Sequence, residues 1–189
     1  MLLRNRASNI DAVPASAVAG YEHVAASAIA VMRWLGSSGV DFVLVGAVAR
    51  QARGDLAARG PVDIVPAPYG RNLDRLARAL NSERLRQRSS QRSSQGSPGS
   101  GSGQAAKPMR LSSDLLVRSE RWELSFGEHD LDIEGRPDGG PSYQALLYEA
   151  VRFSLFPERP IEVAAPEDIE YYDHLRRTGV APTISVSRL

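Results

Sequence analysis

The chain has 189 residues with 23 basic and 22 acidic side chains and no cysteine. Its length suits one domain with a sizeable core, and its near-neutral balance gives no global argument for nucleic acid or for an acidic partner. The missing cysteines exclude disulfides, cysteine nucleophiles and thiolate metal sites.

Sign is uneven along the chain: residues 1–110 carry 15 basic and 7 acidic side chains, a net +8, and 111–189 carry 8 and 15, a net −7. This asymmetry fits a polar substrate or a docking partner, and equally two halves that neutralise each other. Uncharged runs near the N-terminus, Ala12–Tyr21 and Val24–Met32, are split by Glu22 and His23. Neither approaches the roughly 20 apolar residues of a membrane span. A soluble, cytoplasmic protein without a membrane partner is expected.

In chain order, residues 1–13 read as a loose leader. Apolar residues at Val24, Ala25, Ala28, Ile29, Met32 and Leu35 have one-face helical spacing within Val18–Ser37, and Gly36 and Gly39 supply stop signals. Phe42–Val45 is a continuous β-prone run short enough for a buried strand. Gly46 breaks it, Ala47–Arg53 forms a short helix, and a loop after Gly54 leads to a strand at Val62–Val65, ended by Pro66 and Pro68. Leu73, Leu76, Ala77 and Leu80 then mark an amphipathic helix.

From Arg88 to Gly103 the sequence is serine- and glycine-rich with no apolar residue, so it is expected to be a flexible insertion, taken with its flanks as 86–108. It divides a single domain into parts at 14–85 and 109–189. Three strand-like segments follow, Met109–Val117, Trp122–Phe126 and Asp130–Glu134, then a helix at Tyr143–Ala150 and β-prone Val151–Phe156 and Ile161–Ala164. The last helix starts at Pro166, with Glu167 and Asp168 at its positive end, Arg176 and Arg177 at its negative end, and Gly179 beyond. The expected class is α+β, a mixed sheet flanked by helices.

Few residues offer chemistry. His23, His129 and His174 show no zinc spacing, Lys107 is the sole lysine, and no nucleophile elbow, phosphate-binding loop or dinucleotide fingerprint occurs. Asp63 on one strand and Asp132 on a later one are the candidate carboxylates. Asp63 could instead cap the turn before the next helix, Asp132 could face solvent, and Gly46 could simply mark a tight turn. Trp34, Trp122 and Phe126 read as core.

The order of "VLVGAVARQARG", "VDIVP", "RNLDRLARAL", "FGEHDLDIEGRPDGG" and "PIEVAAPEDI" resembles the nucleotidyltransferase fold of the DNA polymerase β superfamily. It is most similar to AbiEii-like and minimal nucleotidyltransferases, many of them in bacterial toxin–antitoxin pairs. The resemblance spans about Phe42 to Arg177 apart from the insertion. It implies that Asp63 and Asp132 are catalytic and metal-binding, holding Mg²⁺. Gly46 with Arg50 or Arg53 would meet the triphosphate of an NTP, whose NMP moves to RNA or to a protein hydroxyl. In that family two carboxylates two apart on a strand share one face and, with a third from a neighbouring strand, hold two Mg²⁺ ions.

This chain departs from that pattern. Pro61 stands where the first carboxylate is expected, Ala47 where Gly or Ser is, and Ala57 and Arg59 where Arg and Thr are. Asp55 and Asp130 are the nearby carboxylates that could substitute. The implied function is a nucleotidyltransferase-like module with weak or lost transfer, binding a nucleotide or a partner; the alternative is an active Mg²⁺-dependent transferase. Oligomeric state is not legible in the sequence.

Overall fold

The computed structural model describes residues 24–82, 86–87, 111–117, 121–126, 129–135, 140–156, 159–178 and 183–187. The leader 1–13 and residues 88–108 of the expected insertion lie outside them. The described chain is mixed α and β, with a single eight-stranded sheet.

Helices are Ala26–Ser37 (α1), Gly46–Ala52 (α2), Gly70–Ser82 (α3), Ser113–Leu116 (α4), Tyr143–Glu149 (α5) and Pro166–Thr178 (α6). Strands are Phe42–Val45 (β1), Val62–Pro66 (β2), Arg86–Gln87 (β3), Arg121–Phe126 (β4), His129–Ile133 (β5), Val151–Phe156 (β6), Arg159–Val163 (β7) and Thr183–Ser187 (β8). Across the sheet the order is β3-β8-β4-β5-β2-β1-β7-β6. Central β2 runs antiparallel to β1 and parallel to β5, and β4 returns antiparallel beside β5.

Burial accounts for the apolar runs of the central strands. All four residues of β1 and all five of β2 are buried, as expected for strands covered on both faces. Alternation then sorts β2, β4 and β5. One face carries Val62, Ile64, Trp122, Leu124, Leu131 and Ile133, all at most 1 % exposed. The other carries Asp63, Arg121, Glu123, Asp132 and, just past β5, Glu134. Helix α1 packs on β2 and β5, while α2 packs on β2 and against α6.

Asn72 latches α3 to the sheet. Its Oδ1 accepts from the Asp41 amide at 2.7 Å, and its Nδ2 donates to the carbonyls of Asp41 and Ala67, both at 2.9 Å. The "RNL" segment therefore acts on the fold, with the amide satisfied at both ends.

Two expectations are corrected. Met109–Val117 is not a strand where it is described: Ser113–Leu116 is a helical turn, because the Ser112 hydroxyl accepts from the Leu115 amide and Asp114 sits in the first turn. Arg86–Gln87, placed in the insertion, pairs with β8, a strand the sequence reading did not find. Residues 18–23, expected in the first helix, and Gly179 lie outside the described residues, while Val24 and Ala25 precede α1.

Candidate functional site

Adjacent parallel strands set the site. Asp63 on β2 and Asp132 on β5 are register partners, so their side chains emerge side by side on one face. Asp63 is fully buried and Asp132 is 5 % exposed. Glu134, one rung further along the same face, is 9 % exposed; its amide continues the ladder by donating to the Ile64 carbonyl at 2.9 Å. Three carboxylates thus meet in a nearly dry place, an arrangement that is unstable unless counter-charge or protons accompany it.

Two guanidinium groups supply the counter-charge. Arg121 of β4 stands across from Glu134 in the alternation. It donates from Nη2 to Asp132 Oδ2 and lies 3.5 Å from Glu134 Oε1 through Nε and 4.0 Å from Asp63 Oδ1 through Nη2. Arg176 reaches down from α6: its Nη2 donates to Asp63 Oδ1 and, at 2.9 Å, to Glu134 Oε1. One guanidinium nitrogen therefore bridges carboxylates of two strands. Such charge-assisted bonds are among the strongest available to side chains.

Burial, with Asp132 and Glu134 adding like charge, holds the Asp63 carboxyl well above the usual range despite Arg176. Burial also raises Asp132, against the pull of Arg121. For Arg176 burial works downward, but Asp63 and Glu134 outweigh it and hold the guanidinium more firmly protonated than usual. Asp63 Oδ2 is buried and accepts no hydrogen bond, so it is the atom on which a proton would sit.

That oxygen points at Gly46. A methyl group built on Gly46 would lie 1.9 Å from Asp63 Oδ2, and the residue has φ +65°, a conformation that glycine adopts at little cost. The glycine expected beneath a triphosphate is thus needed for the packing of Asp63 itself.

The other expected residues take different places. Arg50 donates from Nε to Asp173 Oδ2 at 2.9 Å, tying α2 to α6. Arg53 donates to the carbonyls of Ala164 and Val163 at 2.7 and 3.4 Å; burial lowers its pKa, partly offset by Glu167. Neither guanidinium belongs to the carboxylate cluster. Asp55 accepts from the amides of Ala57 and Ala58 within its own loop. Asp130 accepts from the Ser125 hydroxyl at 2.7 Å on the rim. Trp122 is core at 1 % exposure, and Trp34 is partly buried against the core.

A polar cleft of about 550 Å³ opens beside the cluster, bounded by Pro61, Arg121, Ser125, Asp130, Asp132 and Arg176. Sequence reasoning did not single out Glu134 or Arg121 and assigned Arg176 to the helix dipole. The signal for Arg176 was present: with Ile169 and Tyr172, both buried, it continues an i, i+3, i+7 stripe.

These residues do not fit the Mg²⁺ that the resemblance implies. Among the described residues no three ligating side chains are arranged to hold a metal ion. Pro61 has no ligating side-chain atom, and Arg176 occupies the space between Asp63 and Glu134. Also among the described residues, no helix is long and apolar enough to cross a membrane. Comparison with protein-family models, curated proteins and solved structures returned no match.

Proposed function

We propose that this chain is a nucleotidyltransferase-like module in which metal-dependent NMP transfer is lost and the cleft beside β4 and β5 binds a partner. The observation that carries the reading is the side-by-side placement of Asp63 and Asp132 over Gly46, with Pro61 at the third carboxylate's position. The resemblance explains the order of these residues; the substitutions explain the loss.

Two-metal phosphoryl chemistry depends on ions that bridge phosphate oxygens and neutralise developing charge. Without metal, a triphosphate would approach five carboxylates, Asp63, Glu123, Asp130, Asp132 and Glu134, against Arg121 and Arg176 among the described residues. Even with one carboxyl protonated the site carries net negative charge, which disfavours a free nucleotide and favours a basic protein partner.

Purified protein incubated with each radiolabelled NTP, Mg²⁺ or Mn²⁺, and RNA or protein acceptors should transfer no label above an Asp63→Asn control. Transfer that disappears in that control would establish the alternative, an active Mg²⁺-dependent transferase.

A further inference from the structure

We infer that Arg121 and Arg176 are resident counter-cations standing in the place of divalent metal ions, so that the carboxylate cluster is assembled without metal and is closed to it. The inference rests on the reading of Asp63 and Asp132 given above and adds what balances their charge. Asp63, Asp132 and, just past β5, Glu134 bring together the carboxylate charge that a hard divalent cation would otherwise balance, but they are not arranged to coordinate one as they stand. In this chain the positive charge at their centre is covalently attached to the protein.

The geometry supports substitution over accidental proximity. A cation that serves this cluster has to touch oxygens from both strands, and Arg176 does so with a single nitrogen, on Asp63 Oδ1 of β2 and on Glu134 Oε1 beyond β5. Arg121 donates to Asp132 and stands 3.5 Å from the same Glu134 oxygen. Both cations reach acids borne by other elements, as a bound ion would, and Arg121 also lies 3.7 Å from Glu123 of its own strand. Arg121 is 8 % exposed, so a salt-screened surface pairing does not describe it. Removing one guanidinium should leave buried carboxylate charge that a divalent ion can satisfy, turning the cluster into a metal site.

The test compares wild type, Arg176→Met and Arg176→Lys by Mn²⁺ titration calorimetry and by thermal melts with Mn²⁺ or EDTA. Wild type should bind no Mn²⁺ and melt identically in both solutions. Arg176→Met should lose more than about 5 °C in EDTA and recover at least half of it in Mn²⁺. Arg176→Lys, which keeps a cation, should lie closer to wild type in EDTA and gain little from Mn²⁺. If Arg176→Met does not fold, Arg121→Met, which frees Asp132 at the cleft edge, takes its place under the same criterion.

Asp63-dependent binding of Mn²⁺ by wild type would overturn the inference. So would an Arg176→Met protein that melts like wild type, or one destabilised without any recovery in Mn²⁺. No nucleotide enters the experiment. Failure here would leave the nucleotidyltransferase-like reading standing, and label transfer in the assay above would remove the proposed loss of activity whatever the metal result.

Discussion

Replacing Gly46 by alanine tests the packing of the site most directly. The new methyl would sit 1.9 Å from Asp63 Oδ2 and 2.6 Å from Cγ, well inside van der Waals contact. Asp63 cannot retreat easily, because its other oxygen is held by Arg176 and the residue is fully buried. Two costs add. A non-glycine residue at φ +65° loses roughly 1–2 kcal/mol, and an overpacked methyl in a rigid core loses about 1–3 kcal/mol.

The sum, about 2–5 kcal/mol, is a large part of a typical folding stability of ~5–15 kcal/mol. For a chain of this size it corresponds to a melting-point drop of about 4–20 °C. Gly54 is the control: it also has positive φ, +101°, but a methyl there meets nothing within 4 Å. Urea melts of Gly46→Ala, Gly54→Ala and Gly46→Ala combined with Asp63→Ala would separate strain from collision. The combined variant should cost less than the sum of its parts, since truncating Asp63 removes the two closest atoms. If Gly46→Ala costs no more than Gly54→Ala, Asp63 does not pack against that glycine as described.

Two further outcomes follow from the charge of the cluster. Because burial raises Asp63 and Asp132 above their ordinary values, the folded state holds protons that the unfolded chain releases. The associated stability is fully present below the unfolded pKa of about 4 and is lost as pH rises through the folded values. Denaturant melts should therefore show wild type gaining stability as pH is lowered toward about 4, with a smaller gain in Asp63→Asn; identical pH profiles for the two would refute it. Pro61→Asp should bring a further carboxylate to a cluster whose two guanidinium groups are already engaged. It should melt below Pro61→Ala by on the order of 1 kcal/mol, with Mn²⁺ closing that gap only when Arg176→Met is also present. Mn²⁺ rescue of Pro61→Asp alone would show that the arginines do not close the site.

What the sequence disclosed depended on whether a signal was local. β1 and β2 were legible because strands covered on both faces are written as unbroken apolar runs. The side-by-side carboxylates followed from alternation together with a strand order supplied by resemblance. β8, "TISVS", was not found because it is short and mostly polar, and its place comes from pairing with β4, about 60 residues earlier in the chain. Met109–Val117 is strand-like by sequence, whereas the Ser112 cap makes Ser113–Leu116 a helical turn. Arg176 shows the limit most clearly. An arginine in the last turn has a sufficient reason to be there in the helix dipole, and only the third dimension shows its head group among carboxylates of two strands.

The bridge from Arg176 to Asp63 also spans 113 residues of chain, and this separation orders events during synthesis. Strands β1 and β2 leave the ribosome long before α6, yet the cation that contacts Asp63 most closely is made last. Until α6 docks, burying Asp63 beside Asp132 leaves the pair without that cation, so early compact states keep this end of β2 hydrated or protonated. Closure of the sheet face is then coupled to arrival of α6. A chain halted before residue 176 would lack this cation and leave the acids of β2 and β5 facing Arg121 without Arg176.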